Sequence, residues 1–264
     1  MKLSDIAFHA SALARFVPSL FKAGLISPQG GVRALAATLP VLARYRFTTA
    51  REVEQAYLTC PERLALIDDD GALTYRHLRE QSQTFARWLL SLGLDDIRLG
   101  VMARNGRGII TPLAAKGYAG AHIFLLNVGS SPEQLAGCID ENRINVLVID
   151  DEFIDRLSPV DGELPEDLTV VIGHESGAER PAALATVPSL REIVADPGSV
   201  EKHKLPTWPD HGYIVLMSSG TTGIPKGIMR PEPTLPVVLV SIVDSVPWRA
   251  GQKVQMTASM FHTW

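Results

Sequence analysis

Tyr213-Ile-Val-Leu-Met-Ser-Ser-Gly-Thr-Thr-Gly-Ile-Pro-Lys-Gly227 is the stretch on which the fold turns. Its first five residues, 213–217, form an apolar run with the length and β-branched content of a buried strand. The run empties into Ser218, Ser219, Gly220, Thr221, Thr222 and Gly223, a loop dense in hydroxyls and poor in bulk, with Pro225, Lys226 and Gly227 behind it. Glycines let the backbone turn where a Cβ would clash, so successive N–H groups can line one concavity. Serine and threonine hydroxyls add donors, and Lys226 adds a mobile positive charge. Such a loop suits a polyphosphate. A Walker A loop fits poorly, because that pattern needs Gly before Lys and Ser or Thr after it, whereas Pro225 precedes Lys226 and Gly227 follows. A flexible surface loop would share the composition, but not this ten-residue order directly behind a strand.

Upstream of that stretch, strands and helices alternate. Residues 99–103, 122–126, 145–149 and 168–172 read as short apolar strands. Helices over about 107–118 and 132–141 separate the first three, and 175–188 reads as an exposed loop. This spacing predicts an α/β fold of mostly parallel sheets flanked by helices. Earlier still, Thr49-Ala-Arg-Glu52 has the form of a capping box opening a helix through residue 57. A β-hairpin around Asp69-Asp70-Gly71 follows, then a helix with Leu78, Phe85, Leu89 and Leu92 on one face, ended by Gly93. Beyond the loop, 233–246 reads as a helix and 254–258 as a strand.

Composition sets the bounds. At 264 residues, with 46% hydrophobic and 20% charged residues, the chain can bury one large domain or two small ones. A net charge of −4 gives no reason to expect nucleic acid. Cys60 and Cys138 fit no metal-ligand spacing and read as reduced, buried cysteines of a cytoplasmic protein. Neither a secretory leader nor a membrane-spanning run is apparent. Residues 1–48 stand apart: Lys2, Arg15, Lys22, Arg33, Arg44 and Arg46 face a single acid, Asp5. Their apolar spacing predicts a helical extension. The favoured reading packs it as a hairpin on the protein's own body, and the alternative lays it as a basic amphipathic helix on an anionic membrane.

The run 218–227 resembles the phosphate-binding signature of the adenylate-forming (AMP-binding) superfamily, which includes acyl-CoA synthetases, luciferases and peptide-synthetase adenylation domains. Leu73-Thr-Tyr-Arg-His-Leu78 resembles an early block of that superfamily, and Phe261-His262 a later one. The resemblance implies that Ser218, Ser219, Gly220, Thr221, Thr222, Gly223, Lys226 and Gly227 hold ATP phosphates, with Lys226 acting in the chemical step. It implies that His262 and Trp264 line the acid and pantetheine tunnel, and that the small-molecule substrates are ATP with Mg2+, a carboxylic acid and coenzyme A. No residue of this chain is implied as a metal ligand. The later blocks of the superfamily, for adenine, ribose and the C-terminal catalytic lysine, are not found in these 264 residues. We therefore expect 1–48 to be a helical extension and 49–264 an incomplete adenylate-forming domain. The whole would be a fatty-acid–CoA ligase, and a second polypeptide could supply the missing part. An aryl- or amino-acid-adenylating enzyme, or a non-catalytic fragment, are the other readings. The 264-residue chain alone is expected to be inactive.

Overall fold

Short runs that are apolar at nearly every position suit strands buried on both faces, because successive Cβ atoms of a strand point to opposite sides. In the computed structural model, which describes residues 11, 14–15, 18–19, 21–23, 30–157, 167–178, 181, 184–218, 226–231, 245–246 and 249–261, these runs form one six-stranded sheet. The strands are β3 (Arg98–Met102), β4 (His122–Leu125), β5 (Val146–Ile149), β6 (Thr169–Ile172), β7 (Tyr213–Ser218) and β8 (Lys226–Pro231), in the order β6-β5-β3-β4-β7-β8. The first five are parallel, and β8 returns antiparallel to β7 along the edge. A separate hairpin joins β1 (Leu64–Asp68) to β2 (Gly71–Thr74). The expected α/β architecture is therefore present.

Both faces of the sheet are covered. Leu99, Val101, Ile123, Val146, Val148 and Val171 pack beneath helices α1 (Gly31–Tyr45), α2 (Thr49–Thr59), α3 (Tyr75–Ser91), α4 (Arg107–Ala119) and α6 (Leu190–Ala195). Met102, Phe124, Leu147, Ile149, Val170 and Ile172 face the other way, onto α5 (Pro132–Glu141) and a 3-10 helix over Asp151–Leu157. The helix starts are locally encoded. Ser131 and Gln134 make a capping box at α5, and Thr74 accepts the His77 N–H at the head of α3. Between α2, α3 and α4, the buried Glu54 carboxylate accepts from Arg79 Nε at 2.8 Å, Gln83 Nε2 at 2.8 Å and the Tyr118 hydroxyl at 3.0 Å. A carboxylate that takes three donors can stay in a core that would otherwise exclude it.

Three local expectations need correction. Helix α2 is capped by Thr48, whose hydroxyl accepts the Arg51 N–H, so the expected Thr49–Glu52 box begins one residue late. Residues 254–258 do not form a strand; their backbone is held by a side chain described below. The return strand β8 was not anticipated. The expected loop at 175–188 is largely irregular where described, although Leu184 in it is buried. The expected helix over 233–246 lies almost wholly outside the described residues. Among the described residues, no helix is long and apolar enough to cross a membrane.

Candidate active site

Strand β7 carries the phosphate loop, and its first residue is fixed from three sides. Tyr213 N–H donates to His122 Nδ1 at 3.1 Å, its ring stacks on that imidazole at 3.8 Å between centroids, and its hydroxyl accepts from Arg98 at 3.0 Å. Burial lowers the His122 pKa, which suits a ring nitrogen that must stay unprotonated to accept a hydrogen bond. This histidine therefore sets the position of β7. From there Val215 and Met217 point into the core cluster under α5 while Ile214 and Leu216 pack on the opposite one.

At its far end β7 stops at Ser218, which pairs across the ladder with Lys226 at the start of β8. The run Ser219 to Pro225 therefore joins two antiparallel strands. Residues 219–225, and with them Ser219, Gly220, Thr221, Thr222 and Gly223, lie outside the described residues, as do His262 and Trp264. Lys226 is exposed. Gly227 has a packing reason to be glycine: a Cβ there would sit 2.6 Å from Val215 Cγ1.

Because β3, β4, β5, β6 and β7 run parallel, their C-terminal ends share one edge of the sheet with Ser218, the edge at which open α/β sheets bind ligands. Asn105, just past β3, is the residue there that sequence reasoning missed. Its amide nitrogen donates to the carbonyls of Ala258 at 2.8 Å and Met256 at 3.3 Å, and its oxygen accepts the Met260 N–H at 2.9 Å. One side chain thus replaces the strand ladder expected for 254–258, and it seats Phe261, buried in the core, immediately before His262. The only hint in the sequence is that Asn105-Gly106 follows a strand, a pattern that also fits an ordinary turn.

The same edge carries a set of carboxylates and guanidinium groups. Asp150, after β5, accepts the Arg104 N–H at 2.8 Å through Oδ2, while its buried Oδ1 has no hydrogen-bond partner. Burial pushes its pKa up to about 6. Gly108 and Gly173 make room for it, since a Cβ at either would come within 3.0 and 2.7 Å of Oδ1. Asp68, at the end of β1, reaches over to α4. Its Oδ2 accepts the Arg107 N–H at 2.8 Å and its Oδ1 takes Arg107 Nη2 at 2.6 Å. Burial alone would raise the Asp68 pKa, but the bonds from Arg107 hold it below the usual range. Asp70 bonds Arg191 at 2.6 Å and His174 at 3.1 Å. Among the described residues no group of three or more His, Cys, Asp or Glu side chains is arranged to hold a metal ion.

A parallel sheet with a Ser/Thr/Gly hairpin at its carboxyl edge is the framework of an adenylate-forming enzyme, and the chain belongs to the AMP-binding enzyme family, whose profile it matches over residues 53–264. Its relatives include the medium/long-chain-fatty-acid–CoA/3-oxocholest-4-en-26-oate–CoA ligase of Mycolicibacterium smegmatis, 29% identical over 180 residues, 67% of this chain and 32% of that protein. The mitochondrial malonate–CoA ligase ACSF3 of Mus musculus is 26% identical over 210 residues, 76% of this chain and 33% of that protein. Among solved structures, VinN with L-aspartate superposes with a TM-score of 0.60 at 21% identity, covering 78% of this chain and 50% of that one. The anthranilate CoA ligase AuaEII with anthranoyl-AMP gives 0.57 at 20% identity, covering 71% and 35%. The chain spans about a third of the length of the two curated relatives.

Proposed function

We propose that this chain supplies the polyphosphate-binding part of an ATP-dependent acid–thiol ligase that converts a fatty acid to its coenzyme A thioester. In the first half-reaction a carboxylate oxygen attacks the α-phosphorus of ATP. The bond from that phosphorus to the bridging oxygen breaks, and pyrophosphate leaves. In the second, the thiolate sulfur of coenzyme A attacks the acyl carbon and AMP leaves, the thiol proton passing to solvent. Negative charge grows on the departing pyrophosphate, and donors fixed before reaction stabilise it most effectively. Ser218, Ser219, Thr221 and Thr222 offer hydroxyls, Gly220, Gly223 and Gly227 offer backbone N–H groups, and Lys226 offers the charge. Magnesium enters as part of the MgATP substrate, and none of the described residues is assigned to it. His262 and Trp264 are assigned to the acid and pantetheine tunnel. Residues 1–48 are assigned as an extension and 49–264 as the adenylate-forming portion.

The observation that carries this reading is the pairing of Ser218 with Lys226 on the carboxyl edge of the sheet, which places both ends of the hydroxyl-rich loop at one point. Membership of the AMP-binding family and the acid–CoA ligases among its relatives support it. The test is the Lys226→Ala variant in a protein extended to the length of those relatives. Formation of acyl-adenylate, read by ATP–pyrophosphate exchange, should fall about 100-fold or more. Thioester formation from supplied acyl-adenylate should change only a few-fold, because no pyrophosphate is present in that step. Equal losses in both half-reactions with the fold intact would refute the assignment. A panel of fatty, aryl and amino acids in the same assay decides the acid.

A further inference from the structure

We propose that the outward face of α1, together with the 202–208 turn beside its C-terminal end, is a docking surface for an anionic lipid bilayer. The inference is independent of the reaction assigned above. One face of α1 is used internally: Ala34 and Tyr45 are buried, and Val41 packs on the core. The other face is apolar as well. Val32, Leu35 and Leu39 are 82%, 43% and 74% exposed, and Ala36, Pro40 and Ala43 continue the same row in solvent. Positions 32, 35, 36, 39, 40 and 43 follow the three-and-four spacing that puts side chains on one stripe of a helix. A helix apolar on both faces normally has both covered.

The charge distribution indicates the cover. Residues 1–48 carry six lysines or arginines and one aspartate, whereas the rest of the chain has 19 basic against 28 acidic residues. Arg33 and Arg46 stand exposed near the two ends of the stripe. Beside the C-terminal end of α1, Arg44 Nη2 donates to Pro206 O at 3.0 Å, and His211 Nε2 lies 3.1 Å from Arg44 O. These contacts tie the helix to a turn in which Trp208 is 67% exposed and Lys202 and Lys204 are also exposed. Neither lysine forms an ion pair among the described residues. With His203 and Asp210, these three side chains line a recess of about 510 Å³ in which two lysines face one carboxylate. An apolar stripe, cations beside it and an indole in water are the three features that an interfacial surface uses: acyl-chain contact, phosphate attraction and a headgroup-level ring. The turn leads into the N-terminal end of β7, so docking there leaves the Ser218 end of the strand facing away.

The experiment is co-flotation of the protein extended to the length of its curated relatives, with vesicles of equal phosphatidylglycerol and phosphatidylcholine, and with phosphatidylcholine alone. We expect binding to the anionic vesicles, at least tenfold weaker to the neutral ones and weakened by salt. The double variants Leu35→Ser with Leu39→Ser, and Lys202→Glu with Lys204→Glu, should each reduce partitioning about tenfold while leaving thermal unfolding unchanged, since all four positions are exposed. Tryptophan emission should shift to the blue on binding and lose that shift in Trp208→Phe, with Trp88, Trp248 and Trp264 still present. The proposal is overturned if the folded wild-type chain ignores anionic vesicles, or if the leucine variant binds them equally well. It is also overturned if the chain is a dimer that the leucine substitutions dissociate, which would give the stripe to a second copy.

Discussion

At the residue scale, Asp150 shows what burial does to a carboxyl group with half its bonds made. One oxygen is satisfied by Arg104, the other is enclosed without a partner, and the charged form is disfavoured accordingly. With a folded pKa of about 6, above the value of about 4 of a free aspartate, the native state holds the proton more tightly than the unfolded chain. Stability contributed by this group should therefore decline as the pH rises from about 4 to 6, and the cost should be fully present at pH 7. Replacing it with asparagine removes the titration. The melting temperature of the wild type relative to Asp150→Asn should be higher at pH 5 than at pH 7.5. A difference that does not vary with pH would show that the carboxyl group titrates normally. Asn105 belongs to the same scale: one side chain with three bonds decides the path of 256–260.

At the scale of elements, the N-cap position of helix α4 is a glycine, Gly106, which has no side chain to cap the free N–H groups of the first turn. The β1–β2 hairpin supplies the missing acceptor from 39 residues earlier, since Asp68 takes the Arg107 N–H and pairs with its guanidinium. The negative charge also meets the positive end of the helix dipole. Asp68→Ala should lower unfolding free energy by about 3 kcal/mol, combining a lost cap of about 1 kcal/mol with lost charge-assisted bonds to a partly buried arginine. Asp68→Asn should cost roughly half as much. Urea denaturation measures both. Because the folded pKa of Asp68 is lowered, its contribution is present above the ordinary aspartate pKa and fades as the pH falls through the folded value, so the alanine penalty should shrink in acid. A penalty that grows on acidification would contradict the pairing.

For the whole molecule, the sheet is closed on both faces, and among the described residues no strand pairs with the outer edge of β8. Ile228 and Met229 on that strand are 49% and 59% exposed, and Val254 and Met256 are also in solvent. An open edge strand bearing apolar side chains is a template for association. The purified 264-residue chain should bind a hydrophobic dye strongly or aggregate. It should also release no measurable pyrophosphate from ATP, magnesium and a panel of fatty acids. The phosphate loop is one of several contacts that adenylation uses in the resembling superfamily, and one missing transition-state contact already costs on the order of 100-fold. Turnover by this chain that disappears in Lys226→Ala would mean that residues 1–264 contain a complete site.

Local chemistry in the sequence determined the parallel α/β sheet. Short continuous apolar runs and serine or threonine caps act over a few residues and need no distant partner to be read, as at β5 and at the Ser131 box of α5. It also determined the order of hydroxyls, glycines and Lys226 directly behind a strand. Long-range pairing decided the rest. Lys226 to Pro231 became a strand because the β7 ladder was open to receive it, whereas residues 254–258 gained no strand partner and were claimed by the Asn105 amide. Periodicity marked α1 as apolar but could not say which of its faces would be covered. Only packing left Val32, Leu35 and Leu39 in water. Likewise, Asp68 became the cap of α4 through folding alone, since a hydrogen bond spanning 39 residues leaves no trace in local sequence.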